Sequence, residues 1–193
     1  MKTQRPLLLL AAAFLCSQSS HAQPRLPIPN AFRNDVQKVV ADFPSQFASL
    51  RGDVRITNPQ TVEYASLLQV GKAEDCIITR YSSNTRPIYS LQALMLHTED
   101  FAEAAKKYKW LFTQLKGMNV KYVVDQYTLQ GQYEAPAEER KFATSLLYIA
   151  HPPEALQKLR VEVSMQFEFP EWKVSVTIFE KERNDEDEIG SED

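Results

Sequence analysis

Between residues 161 and 179 the side chains alternate. Val161, Val163, Met165, Phe167 and Phe169 are interleaved with Glu162, Ser164, Gln166 and Glu168, and Trp172, Val174, Val176 and Ile178 with Lys173, Ser175 and Thr177. A helix brings every third or fourth side chain to one face, so a period of two demands strands with one buried side. With Pro170-Glu171 as a two-residue turn, Phe169 lies opposite Trp172, Phe167 opposite Val174 and Glu168 opposite Lys173. All the apolar residues then share one face. One side of the sheet is wet and the other needs an apolar cover, as in antiparallel sheets of α+β domains.

The cover is a helix over 99–116. Phe101, Ala104, Ala105, Tyr108, Leu111, Phe112 and Leu115 form one stripe, while Glu103, Lys106, Lys107 and Lys109 face away. Thr98 is the expected cap, Glu99 and Asp100 suit the first turn, Lys116 suits the last, and Gly117 ends the helix in a left-handed conformation. Trp110 sits off the centre of the stripe. A second helix starts after Pro24, Pro27 and Pro29, with Asn30 as its cap and Phe32, Val36, Val39, Val40 and Phe43 on one face. Pro44 stops or bends it, and Arg51-Gly52-Asp53 reads as a Gly turn ending a last helical turn. That triplet is also one that integrin-type receptors read at loop tips, but three residues recur too freely to carry such a role.

Three further strands precede the long helix, at 62–70, 76–81 and 88–96, separated by turn residues at 71–72 and 82–87. Four follow it, at 120–129, 142–149, 161–169 and 172–179. The expected fold is therefore α+β in two layers: a curved antiparallel sheet of about seven strands packed on the long helix 99–116, with an N-terminal helix beside it. The order is α-βββ-α-ββββ in a single domain, 30–180, after a proline-spaced lead-in at 23–29.

The ends carry different chemistry. Lys2 and Arg5 precede an apolar run at 7–15, and Ser20 and Ala22 offer the small side chains of a cleavage site before Gln23. Residues 1–22 thus read as a cleaved signal peptide, and the mature chain as periplasmic or secreted. The run is too short to span a membrane, and no other segment could. A lipid-anchored reading on Cys16 is disfavoured by the bulky Leu15 before it. Removing 1–22 leaves 20 basic residues against 25 acidic ones. Seven of those acids lie in 181–193 with two bases, so the domain itself is balanced and the acidity belongs to a separate, disordered tail. With no basic surplus, nucleic acid is not expected as a partner.

No catalytic spacing stands out. There is no G-x-S-x-G elbow, P-loop or G-x-G-x-x-G turn. The mature chain has two histidines, His97 and His151, and one cysteine, Cys76, so a histidine-rich metal site and an intramolecular disulfide are both excluded. Glu138 and Glu139 lie in a wet, charged loop, a poor place for a catalytic acid. What remains is aromatic: tyrosines concentrated in the strands could line a cavity between sheet and helix. The sequence thus points to an exported, non-enzymatic domain that binds a protein partner or a small amphipathic ligand. Tyr64, Tyr89, Tyr122, Tyr148 and Trp110 are the candidate ligand-binding residues, and no cofactor or metal is expected. Two alternatives are a small thiol enzyme or hydrolase using Cys76 with His97 or His151, and a structural, envelope-assembly protein docking through edge strands or the acidic tail.

Overall fold

The computed structural model describes residues 29–83 and 86–181, so the expected signal peptide at 1–22 and, apart from Lys181, the expected tail at 181–193 lie outside the described residues. The chain begins with α1 (Pro29–Asp42) and a 3-10 turn at Phe43–Ser45. Four strands follow: β1 (Arg51–Thr57), β2 (Thr61–Ser66), β3 (Asp75–Tyr81) and β4 (Ile88–Thr98). After α2 (Phe101–Leu115) come β5 (Asn119–Tyr122), β6 (Asp125–Gly131), β7 (Phe142–Ile149), β8 (Leu159–Glu168) and β9 (Glu171–Glu180), with 3-10 turns at Glu138–Arg140 and Glu154–Leu156. All neighbouring strands are antiparallel. The sheet has nine strands in the order β1-β2-β3-β4-β9-β8-β7-β6-β5, two meanders joined where β4 meets β9.

The α+β class and the antiparallel sheet agree with the sequence expectation, but the strand count of about seven does not. Two strands are added, each for a local reason. Residues 51–57, expected to hold a Gly turn, form the edge strand β1. Its Val54 and Ile56 are exposed (56% and 49% of their surface), so it lacks the buried alternation that marks a strand in sequence. The expected strand 120–129 is instead the hairpin β5–β6, turning at Val123–Val124. Two β-branched valines carry no turn signal, yet Val123 takes φ +56° at an exposed tip. Conversely, the expected strand 62–70 stops at Ser66, whose Oγ donates to the Leu68 carbonyl at 2.8 Å and accepts from the Leu68 N–H at 3.2 Å.

The final hairpin has the expected faces and a different register. Phe167 pairs with Trp172, Met165 with Val174 and Gln166 with Lys173, two residues away from the expected alignment. The turn is Phe169-Pro170, joined by a cis peptide bond, rather than Pro170-Glu171. A slip of two keeps every side chain on its side of the sheet, whereas a slip of one would have inverted it. Glu168 still pairs with Lys173, across the diagonal. Phe167 now packs on Trp172 with centroids 5.1 Å apart, and Phe169, expected on the buried face, is left at the tip in solvent.

Both helices join one core on the same side of the sheet. Ala104, Tyr108, Leu111, Phe112 and Leu115 of α2 are buried, as the stripe requires, against Val161, Val163 and Met165 of β8 and Val174 and Val176 of β9. The cap of α2 is Asp100 rather than Thr98: its Oδ1 accepts from the N–H groups of Ala102 (2.7 Å) and Glu103 (3.2 Å). Thr98 supports it, accepting from the Asp100 N–H and donating to Glu103 Oε2 at 2.8 Å. Gly117 has φ +74°, the expected left-handed stop. α1 begins at Pro29 itself, one residue before its expected cap.

If the α2 stripe holds the layers together, Leu111→Ala should lower unfolding stability by about 2–5 kcal/mol in urea denaturation. Lys106→Ala, on the exposed side of the same helix, should change it by less than about 0.5 kcal/mol. Equal effects would contradict this packing.

Candidate functional site

The five aromatic residues singled out in the sequence do not converge on one cavity. Buried side chains occupy the space between α2 and the sheet, and Tyr108, which packs there against Tyr133, is fully buried with its hydroxyl 2.6 Å from Ser145 Oγ. Burial, first of all, pushes the Tyr108 hydroxyl up to about 12. Tyr64 and Tyr89 flank the Arg51 guanidinium, which lies 5.8 and 4.8 Å from their ring centroids and donates to the Tyr89 hydroxyl at 3.2 Å. This also settles the place of Arg51-Gly52-Asp53: it runs within β1, and a Cβ on Gly52 would stand 2.9 Å from the Ala65 carbonyl oxygen. Tyr122 packs at the core margin in β5, and Tyr148 stands on the helix-free face of β7. Trp110 alone faces a cleft between the helices.

That cleft is built by three local features. Gly71 turns the chain after β2 with φ +58°, and a Cβ there would sit 3.2 Å from the Phe32 ring, so a glycine lets this turn press against the start of α1. Its N–H donates to Asp35 Oδ2 at 3.0 Å, clamping the turn to the helix. In β4 the pairing with β9 shifts register between Leu94 and Leu96, a bulge that leaves Met95 over to form part of the cleft. Lys107 and Trp110, one turn apart on α2, supply the remaining wall. The result is a space of about 230 Å³ lined by Ala31, Phe32, Gly71, Lys72, Met95, Lys107 and Trp110. Phe32 and Trp110 are tilted at 48° with centroids 5.7 Å apart, and Trp110 keeps 37% of its surface exposed.

Charge distinguishes this cleft. Lys107 Nζ stands 5.3 Å over the Trp110 ring, and burial, with a smaller contribution from nearby Lys72, pulls its pKa below the ordinary lysine value against the opposing field of Glu74. The neighbouring acids are engaged elsewhere. Asp35 holds the Gly71 N–H and Lys38, and Glu74 pairs with the His97 imidazole and accepts from the His97 N–H. Neither Lys72 nor Lys107 forms an ion pair among the described residues. The larger cleft at the other end of the sheet, about 740 Å³ beside Phe43, has two cations and two acids in its lining, with Arg86 and Lys158 both pairing with Glu180 and Glu154 beside them.

The groups considered for catalysis stay apart. Cys76 is buried, its sulfur accepts from the Val70 N–H at 3.4 Å, and burial pushes its pKa up, away from thiolate character. It pairs with Ala93, four residues along β4 from His97, or about 13 Å at the rise of a strand. His151 follows β7, which β4, β9 and β8 separate from β3. Glu162, one of the polar residues of the alternation, is a titratable group that the sequence did not single out as a site residue. It lies half-buried on the helix-free face of β8, where burial raises its pKa despite a hydrogen bond from Thr144. Alternation puts it on the face away from the helices, where it lies in an inner strand between its cross-strand partners Leu146 and Thr177. Beside it on β8, Ser164 and Gln166 line a polar groove of about 230 Å³ with Gln92 and Ser175.

Among the described residues no cluster of three His, Cys, Asp or Glu side chains could hold a metal, and no helix is long and apolar enough to cross a membrane. No family model, curated protein or solved structure matches the chain, so the site's own chemistry carries the functional argument.

The Glu74 pairing raises the His97 pKa above the ordinary histidine value. Its stabilising contribution is full below the unfolded pKa and is lost as pH rises through the raised folded one. An NMR titration should place the His97 midpoint above that of a model histidine, and Glu74→Gln should bring it back. A midpoint unmoved by Glu74→Gln would contradict the pairing.

Proposed function

We propose that the chain is an exported, non-enzymatic binding module that takes the apolar part of a small amphipathic ligand into the cleft between α1 and α2. The observation that carries this reading is the open apolar space faced by Phe32, Met95 and the part-exposed Trp110. At about 230 Å³ it falls below the roughly 300–1,000 Å³ of pockets that enclose drug-sized ligands, so it suits one aryl group or a short alkyl chain. The walls come from two helices and a glycine turn fixed by the Asp35 clamp, so the space exists before a ligand arrives and little ordering is needed on binding. Burying an aryl or alkyl group there removes both its own surface and that of Trp110 from water.

Octanol is a suitable neutral probe. Its titration should give a saturable change in tryptophan fluorescence that Trp110→Phe abolishes, because Trp172 is buried between Phe101 and Phe167 and serves as a constant background. A response that does not saturate, or that survives Trp110→Phe, would overturn the cleft as the binding site.

A further inference from the structure

The apolar walls leave the polar end of the ligand unspecified, and the charges at the mouth of the cleft specify it. Lys72 extends from the Gly71 turn on one side and Lys107 from α2 on the other. No acidic residue is among those lining the space. The two nearest acids that the interactions identify, Asp35 and Glu74, already hold other partners: the Gly71 N–H and Lys38 for the first, His97 for the second. A partly desolvated ammonium against an aromatic face, with a second ammonium near it and no carboxylate committed to either, is a site short of one negative charge. A ligand with a cationic head would meet two like charges there, and a neutral head would leave both without an ion-pair partner, with only the more distant field of Glu74 acting on Lys107.

We propose that the ligand of this cleft is an amphipathic anion, a short alkyl or aryl carboxylate whose apolar part lies between Phe32 and Trp110 and whose carboxylate lies between Lys72 and Lys107. This rests on the cleft being the ligand site, and goes beyond it by fixing the charge of the head group. Lys107 then acts twice, its methylene stem as cleft wall and its ammonium as hydrogen-bond donor to the carboxylate. The bound anion would also relieve the penalty that burial imposes on the Lys107 charge.

The test compares octanoate, octanol and octyltrimethylammonium on the full chain by isothermal titration calorimetry at neutral pH. Octanoate should bind about tenfold or more tightly than octanol, the margin of a charge-assisted hydrogen bond, and octyltrimethylammonium most weakly. The double substitution Lys72→Gln/Lys107→Gln should erase the preference for octanoate over octanol, and Lys107→Arg should retain it. Octanol binding as tightly as octanoate, or a preference indifferent to both lysines, would overturn the anion while leaving the cleft in place. Failure of all three probes to bind would overturn both.

Discussion

β4 and β9 are far apart in sequence and adjacent in space, paired from Ser90↔Phe179 to Thr98↔Trp172. On one side of this seam lies the meander β1–β4, on the other β5–β9, each built from near-neighbour pairings that are cheap in chain entropy. Joining them closes the longest loop of any strand pairing in the sheet, and α2 is the crossing that makes it possible. It leaves β4 through the Asp100 cap and runs back over β8 and β9, burying Tyr108, Leu111 and Leu115 as it goes. The bulge that interrupts the same seam gives Met95 to the cleft, and the helix that crosses it gives Lys107 and Trp110. The candidate site is thus a consequence of how the two halves of the sheet are joined.

Elements with a buried stripe were legible in the sequence. Of the α2 stripe, Ala104, Tyr108, Leu111, Phe112 and Leu115 are buried and Phe101 and Ala105 half-buried, and Phe32, Val36, Val39 and Val40 of α1 are buried, as is Phe43 just after it. The alternation at 161–179 assigned faces correctly even though the register was off by two, because face depends only on parity and register on the turn. What escaped were features whose information is not local. Edge strand β1 buries too little to leave an apolar signature, and the β5–β6 tip turns on two valines because the surrounding hairpin imposes it. The α2 cap moved from Thr98 to Asp100, a choice between two good capping residues that pattern alone does not make.

The site was legible only in part. Trp110 stood out because it lay off the α2 stripe, and that offset is what turns it toward Phe32. The tyrosines stood out for being numerous in strands, and the structure gives them separate tasks: Tyr64 and Tyr89 hold Arg51, Tyr122 edges the core, and Tyr148 faces the helix-free side. Phe32, Met95, Gly71, Lys72 and Lys107 come from four separate segments, and no spacing in one dimension announces their meeting. The absence of an ion pair to Lys72 or Lys107 among the described residues is a three-dimensional fact as well, since acids stand close to each in the sequence, Glu74 and Asp75 after Lys72 and Glu103 before Lys107.

Recognition is proposed between the helices rather than on the open face of the sheet, where Glu162 and the polar groove around Ser164 and Ser175 offer the competing surface. Backbone and indole N–H chemical shifts recorded during an octanoate titration separate the two. The account predicts that the largest changes fall on the Trp110 indole and on the amides of Gly71, Lys72 and Lys107. Changes centred on β8 and β9 around Glu162, Ser164 and Ser175, with Trp110 unmoved, would contradict it.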